Sequence, residues 1–175
     1  MWEKLRAQLV RRGPSLLRLP IKMTPFAARR QVLEQVLHWQ FRSALEEGEL
    51  DFLDGRWLQI NVDDLGLSWA MTLRDGQLRV RQHPTPDVIF TSNANDLLMI
   101  AARREDPDTL FFQRRLRIEG DTELGLTVKN LLDAIDPERM PALLRHALQQ
   151  LADIVEAGLK EDAIAANGHR VSQSC

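Results

Sequence analysis

Cysteine is nearly missing from these 175 residues. The only one, Cys175, is the last residue, so no internal disulfide can form and no cysteine set can hold a metal cluster. Cys175 reads as tail, and prenylation would need three residues after it. Long apolar runs are missing too, none approaching the ~20 residues that cross a bilayer, which excludes an integral helical membrane protein. The N-terminus lacks an uninterrupted apolar core followed by a small-residue cleavage site, so a cytoplasmic home is expected. Histidine is sparse: His38, His83, His146 and His169 stand singly, with no HExxH and no paired CxxC, so the metal assignment is none. There is no GxSxG, no internal repeat, and no catalytic residue to nominate.

Two features imitate catalytic signatures. The run from Gly120 through Asp121, Thr122, Glu123 and Leu124 to Gly125, Leu126 and Thr127 has the glycine spacing of a phosphate loop between a strand and a helix. Leu126 replaces the required lysine, and Asp121 and Glu123 put carboxylates where phosphate oxygens would sit. The sequence instead predicts a left-handed turn at Gly120 with Asp121 or Thr122 capping a helix. The carboxylates Glu46, Glu47, Glu49, Asp63 and Asp64 fall at element ends, where charge is ordinarily just solvated.

What is present begins with a hidden charge asymmetry. Residues 1–30 hold eight cations against Glu3, or +7, and since the whole chain is −2 the other 145 residues carry −9. A basic arm on an acidic body should face an anionic membrane surface and disfavours nucleic acid as a partner. Residues 2–12 read as a short amphipathic helix, with Trp2, Leu5 and Leu9 on one stripe and Lys4, Arg11 and Arg12 off it. These six are the candidate membrane-docking residues, and packing of the arm over the acidic body is the alternative. Pro14, Pro20 and Pro25 interrupt the apolar linker that follows.

Thr24-Pro25 predicts a helix start, with Thr24 as N-cap and Pro25 in the first turn, and Gly48 predicts its end near Glu47. Alternation then predicts strands through Leu58, Ile60 and Val62, through Leu67, Trp69, Met71 and Leu73, and through Leu78 and Val80, with Asp75-Gly76 as a hairpin turn. From Asp87 an apolar strand (Val88, Phe90) precedes a helix (Leu97, Leu98, Ile100, Ala101). An Asp-Pro turn then leads through Leu110, Phe111 and Phe112 to a strand (Leu116, Ile118) and a helix (Leu124, Val128, Leu131, Leu132, Ile135). A last helix is expected at about residues 137–160. The expected organisation is an arm and proline-rich linker (1–23), one domain (24–136), the C-terminal helix and a disordered tail (161–175). Arg103-Arg104 and Arg114-Arg115 either bind an anionic headgroup or pair with Glu105, Asp106 and Asp108.

The pattern is that of a two-layer α+β domain with about five strands in a mixed sheet covered by helices. Residues 87–134 resemble the second half of a sterol-carrier-protein-2 (SCP2) type lipid-binding domain. The run DLLMIAARREDPDTLFFQRRLRIEGDTELGLTVKNLLDA (96–134), with RQVLEQVLHWQFRSALEEGELDFLDGRWLQI upstream (30–60), resembles one branch of that family: bacterial ubiquinone-biosynthesis accessory factors of the UbiT type. Helical and strand periodicity alone does not separate a filled core from a lined cavity. The resemblance implies an apolar tunnel between sheet and helices, lined from among Trp69, Met71, Phe90, Leu98, Phe111, Phe112, Leu124, Val128, Leu131, Leu132 and Ile135. It implies a non-catalytic factor without cofactor that holds isoprenoid quinone precursors or phospholipid for oxygen-independent ubiquinone synthesis. Its partners would be iron–sulfur proteins that perform the hydroxylations, with peripheral association at the inner membrane. An enzyme with an apolar acyl or isoprenoid pocket, or a pure protein-interaction module, remain the alternatives.

Overall fold

The computed structural model describes residues 23–82, 84–133, 138 and 141–172, with the side chains of the last helix as far as Leu159. The arm residues Trp2, Lys4, Leu5, Leu9, Arg11 and Arg12, the linker as far as Lys22, and Ile135 lie outside them. In chain order the elements are α1 (Phe26–Gln40), α2 (Arg42–Glu46), a 3-10 turn (Asp51–Leu53), β1 (Leu58–Val62), β2 (Leu67–Arg74), β3 (Gln77–Arg81) and β4 (Val88–Ser92). There follow α3 (Ala94–Ala101), α4 (Pro107–Phe112), β5 (Arg117–Gly120), α5 (Thr122–Asp133) and α6 (Ala142–Ser172).

The five strands form one sheet in the order β3-β2-β1-β4-β5. Only β1 and β4 run parallel; the other neighbours are antiparallel. Asp75 and Gly76 both take positive φ, 53° and 67°, which is what a two-residue hairpin turn demands. Strand register then settles which side chains share a face. Leu58 and Ile60 stand opposite Met71 and Trp69 on one side and Val88 and Phe90 on the other, and Phe90 stands opposite Ile118. With a period of two, every one of these apolar residues lands on the same face. There Phe26, Leu33 and Leu37 of α1, and Leu124, Val128, Leu131 and Leu132 of α5, join them in the main core. On the opposite face Gln59 and Ser68 both donate to Asn61, which donates in turn to Thr91. The result is the two-layer α+β arrangement that the alternation implied.

Several local expectations are corrected. Thr24 is not the N-cap: the helix begins at Phe26 after an extended Pro25 (φ −55°, ψ 140°) that offers no capping side chain. The single helix expected to about Glu47 is broken at Phe41 (φ −103°, ψ 18°), and beyond the break α2 buries Ala44, whereas α1 buries no residue fully. The Asp-Pro segment is a short helix rather than a plain turn, because Asp106 accepts from the Thr109 backbone N–H at 3.0 Å and Pro107 occupies the first turn without needing a partner. The last helix starts later than expected, after Pro141, and runs past Lys160 to Ser172, into the stretch expected to be a disordered tail. Residues 160–166 are mostly good helix formers (Lys, Glu, Ala), and no glycine or proline interrupts them before Gly168. This helix docks on α3 through Ala152 and Val155 against Met99 and Ala102, a cluster separate from the main core.

Candidate functional site

The structure does not bring the expected lining set together in one place. Met71, Phe90, Leu124 and Val128 are buried in the main core, with Trp69, Leu131 and Leu132 packed against it. Leu98 belongs instead to the cluster between α3 and α6. Phe111 and Phe112 lie outside: helical spacing gives the inward positions of α4 to Pro107 and Leu110, leaving Phe112 80% exposed.

An apolar groove that shares only Trp69 with the expected lining opens between α1 and the start of β2. Phe26, Ala28, Val32 and Leu33 form its helical wall, Leu67 and Trp69 its sheet wall, and its volume is about 340 Å³. Two polar atoms at this groove are unusual. The Trp69 Nε1 and the Arg29 Nε are shielded from water yet find no hydrogen-bond acceptor among the described residues. Arg29 otherwise rests its guanidinium over the Phe26 ring, 6.0 Å from the centroid. Buried donors normally find acceptors, so an unpaired one calls for an explanation. The helix that forms the wall is held lightly: α1 lays Leu33 and Leu37 on the core without burying any side chain fully. Glu34 adds one tie, accepting from the Val80 N–H on the outer edge of β3 at 2.9 Å. The sequence predicts a helix here but does not mark Phe26, Arg29, Val32 and Leu33 as a wall. The available signal was an apolar stripe wider than one contact face needs.

Of the carboxylates at element ends, Glu46 pairs with Arg42 at 3.0 Å, and Asp63 and Asp64 have structural work. Asp63 pairs with Arg117 at 2.6 Å, and Asp64 accepts from the Ala94 N–H at the start of α3. Asp121 caps α5 by accepting from the Leu124 N–H at 2.9 Å, and it also pairs with Arg56, which reaches Asp87 as well. The Leu124 N–H foremost, then Arg56, hold the Asp121 carboxyl below its ordinary value. Gly120 has φ 104°, so the look-alike phosphate loop is the left-handed turn and cap that its charge pattern implied. Asp106, Asp108 and Asp133 come close together beside Lys129, which pairs with Asp108. Desolvation, and then repulsion from Asp106 and Asp108, push the Asp133 carboxyl above its ordinary value, while the Thr109 N–H lowers that of Asp106.

Three of the four paired arginines take partners the sequence did not suggest. Arg104 reaches Asp153 and Glu156 on α6, Arg115 pairs with Asp96, and Arg103 donates to the Asp133 carbonyl at 2.8 Å. Among the described residues, no helix is long and apolar enough to cross a membrane.

Comparison with known proteins follows the same outline. The model of the SCP-2 sterol transfer family matches residues 33–133. The chain is 64% identical over 160 residues to the ubiquinone biosynthesis accessory factor UbiT of Escherichia coli K12, covering 91% of this chain and 92% of that one. The UbiT of Escherichia coli O157:H7 gives the same figures. Among solved structures, the UbiJ-SCP2 ubiquinone synthesis protein superposes with a TM-score of 0.52 at 20% identity, covering 64% of this chain and all of that one. That last likeness is one of fold.

Proposed function

Because this chain belongs to the SCP-2 sterol transfer family, we propose that it is a non-catalytic lipid-binding accessory factor of ubiquinone biosynthesis. In this reading it holds an isoprenoid quinone precursor, or a membrane phospholipid, and presents it to the iron–sulfur proteins that hydroxylate the ring without oxygen. It works in the cytoplasm and associates reversibly with the inner membrane. What supports the reading most is the α1 groove, which joins apolar walls to two donors that lack acceptors.

The physical need for such a protein lies in the tail of the precursor. At ~0.8 kcal/mol for each CH₂ removed from water, a polyprenyl chain is confined to apolar surroundings, and a soluble enzyme cannot collect it unaided. A protein groove of aliphatic and aromatic side chains offers about what the bilayer offers, so exchange between the two can be near-neutral and reversible. With α1 displaced, an oxygenated head reaches the otherwise shielded Trp69 Nε1–H and Arg29 Nε–H and gives them the acceptors they lack, whereas a plain hydrocarbon leaves both unpaired. The lightly held α1 suits a wall that must give way to admit a chain.

Extraction of the purified protein followed by lipid mass spectrometry tests this directly. Quinone precursor or phospholipid should appear at a level far above a matched soluble control. No lipid above that control, together with no uptake of added quinone, would overturn the proposal. The arm has its own test. A protein lacking residues 1–22 should stay folded and bind anionic vesicles several-fold more weakly, since basic residues near such a surface add ~1 kcal/mol each, and raised salt should erase the difference. Vesicle binding that ignores both the deletion and salt removes the electrostatic part. A truncated protein that fails to fold favours packing of the arm on the body.

A further inference from the structure

The turn that closes α4 displays an aromatic pair beside an outward cation, and from it we propose a docking surface for an anionic lipid bilayer, formed by Phe111, Phe112 and Arg114. It is distinct from the α1 groove and from the N-terminal arm. Phe112 is 80% exposed and Phe111 41%, and their rings meet edge to face with centroids 5.9 Å apart. The fold does not need them there: Pro107 and Leu110 anchor α4, and Leu116 fills the core behind the turn. The two rings rim an open groove of about 410 Å³ along β5 that also touches Arg114, Arg117, Ile118 and Glu119.

Arg114 supplies the second, independent observation. It sits at φ 60°, in the left-handed position that ends a helix, while the N–H groups of Arg115 and Leu116 both return to the Leu110 carbonyl at 2.9 and 3.0 Å. Glycine is the usual residue there because a side chain is strained in that conformation. Arg103 closes α3 in the same way (φ 55°), but its guanidinium is tied to the Asp133 carbonyl. Neighbouring Arg115 and Arg117 are held by Asp96 and Asp63. The Arg114 guanidinium makes no ion pair among the described residues, so a strained position carries an outward charge two residues from the exposed Phe112 ring.

A bilayer fits this combination better than a protein partner does. Residues 31–175 carry −9, so the body is repelled by an anionic leaflet except where a face presents its own cation. Protruding rings enter the headgroup region without a matching cavity, whereas a protein partner must provide a desolvated pocket for each.

The full-length chain tests the proposal, with Cys175→Ser and an environment-sensitive fluorophore on Phe112→Cys. On phosphatidylcholine vesicles containing phosphatidylglycerol, the probe should shift to the blue and be quenched by brominated acyl chains, while the same probe on Arg74→Cys stays aqueous. Unlabelled Phe111→Ser/Phe112→Ser should bind these vesicles about tenfold more weakly. Arg114→Gly should lose about fivefold on anionic vesicles alone, with an unchanged or raised melting temperature because glycine accepts the left-handed φ. An aqueous spectrum at position 112 on sedimented vesicles, or full binding by the double serine variant, overturns the proposal and leaves the pair as a contact for a protein.

Discussion

Leu33→Asp is expected to lower lipid carried per protein, and uptake of added quinone, by at least about tenfold. Leu33 lies on the groove wall and packs against the core, so a carboxylate there must either stay charged beside an apolar chain or shed its charge at a cost of several kcal/mol. Because Leu33 also supports the fold, the comparison that decides is Val32→Asp. Val32 lines the same groove and is 64% exposed, so its replacement should leave the circular dichroism and melting temperature near those of the parent while uptake still falls several-fold. Trp69→Phe separates head from tail. It keeps the apolar wall and removes the unpaired N–H, so retention of a plain acyl chain should hardly change. Affinity for an oxygenated head should drop about fivefold, as a lost hydrogen bond of ~1 kcal/mol implies. Normal uptake by both aspartate variants would move the lipid site away from α1.

Gly120→Ala should be among the most damaging single substitutions. Gly120 combines φ 104° with a close approach: an added Cβ would lie 2.3 Å from the Asp87 carbonyl oxygen. That oxygen accepts the Asp121 N–H at 2.8 Å, and Asp87 and Asp121 share Arg56. Relief therefore means parting β4 from β5 where α5 is capped. A loss of about 3 kcal/mol or more is expected from backbone strain and the broken contact, which in a domain of this size is a fall of about 10 °C in melting temperature. Gly76→Ala serves as the control. It also has positive φ (67°) but would meet nothing within 4 Å, so only the left-handed penalty of roughly 1–2 kcal/mol applies. Equal melting by the two variants would show that the Asp87 contact costs nothing.

The sequence by itself determined the strands and the faces they bury. Apolar residues at every second position, from Leu58 to Val80 and again at Val88 and Phe90, fix both the strands and the face they bury, because a slip of one residue would turn each of those side chains to water. The Asp75-Gly76 hairpin and the Gly120–Asp121 turn and cap were equally legible, since each needs particular residues at particular positions. Charge alone disposed of the phosphate-loop imitation at Leu126. What periodicity does not contain is which long-range neighbour an apolar residue meets, or whether it meets one at all. Phe111, Phe112 and Leu110 are consecutive apolar residues in the sequence, yet only Leu110 is inside, because six residues of helix anchored at Pro107 can turn just one side inward. Leu98 and Ile100 share a helix, but α6 draws Leu98 to a second cluster. The α1 groove required the tertiary structure outright: its walls come from residues 24–33 and 67–69, apart in sequence, and the space between them depends on how closely a helix that buries no side chain settles on the sheet.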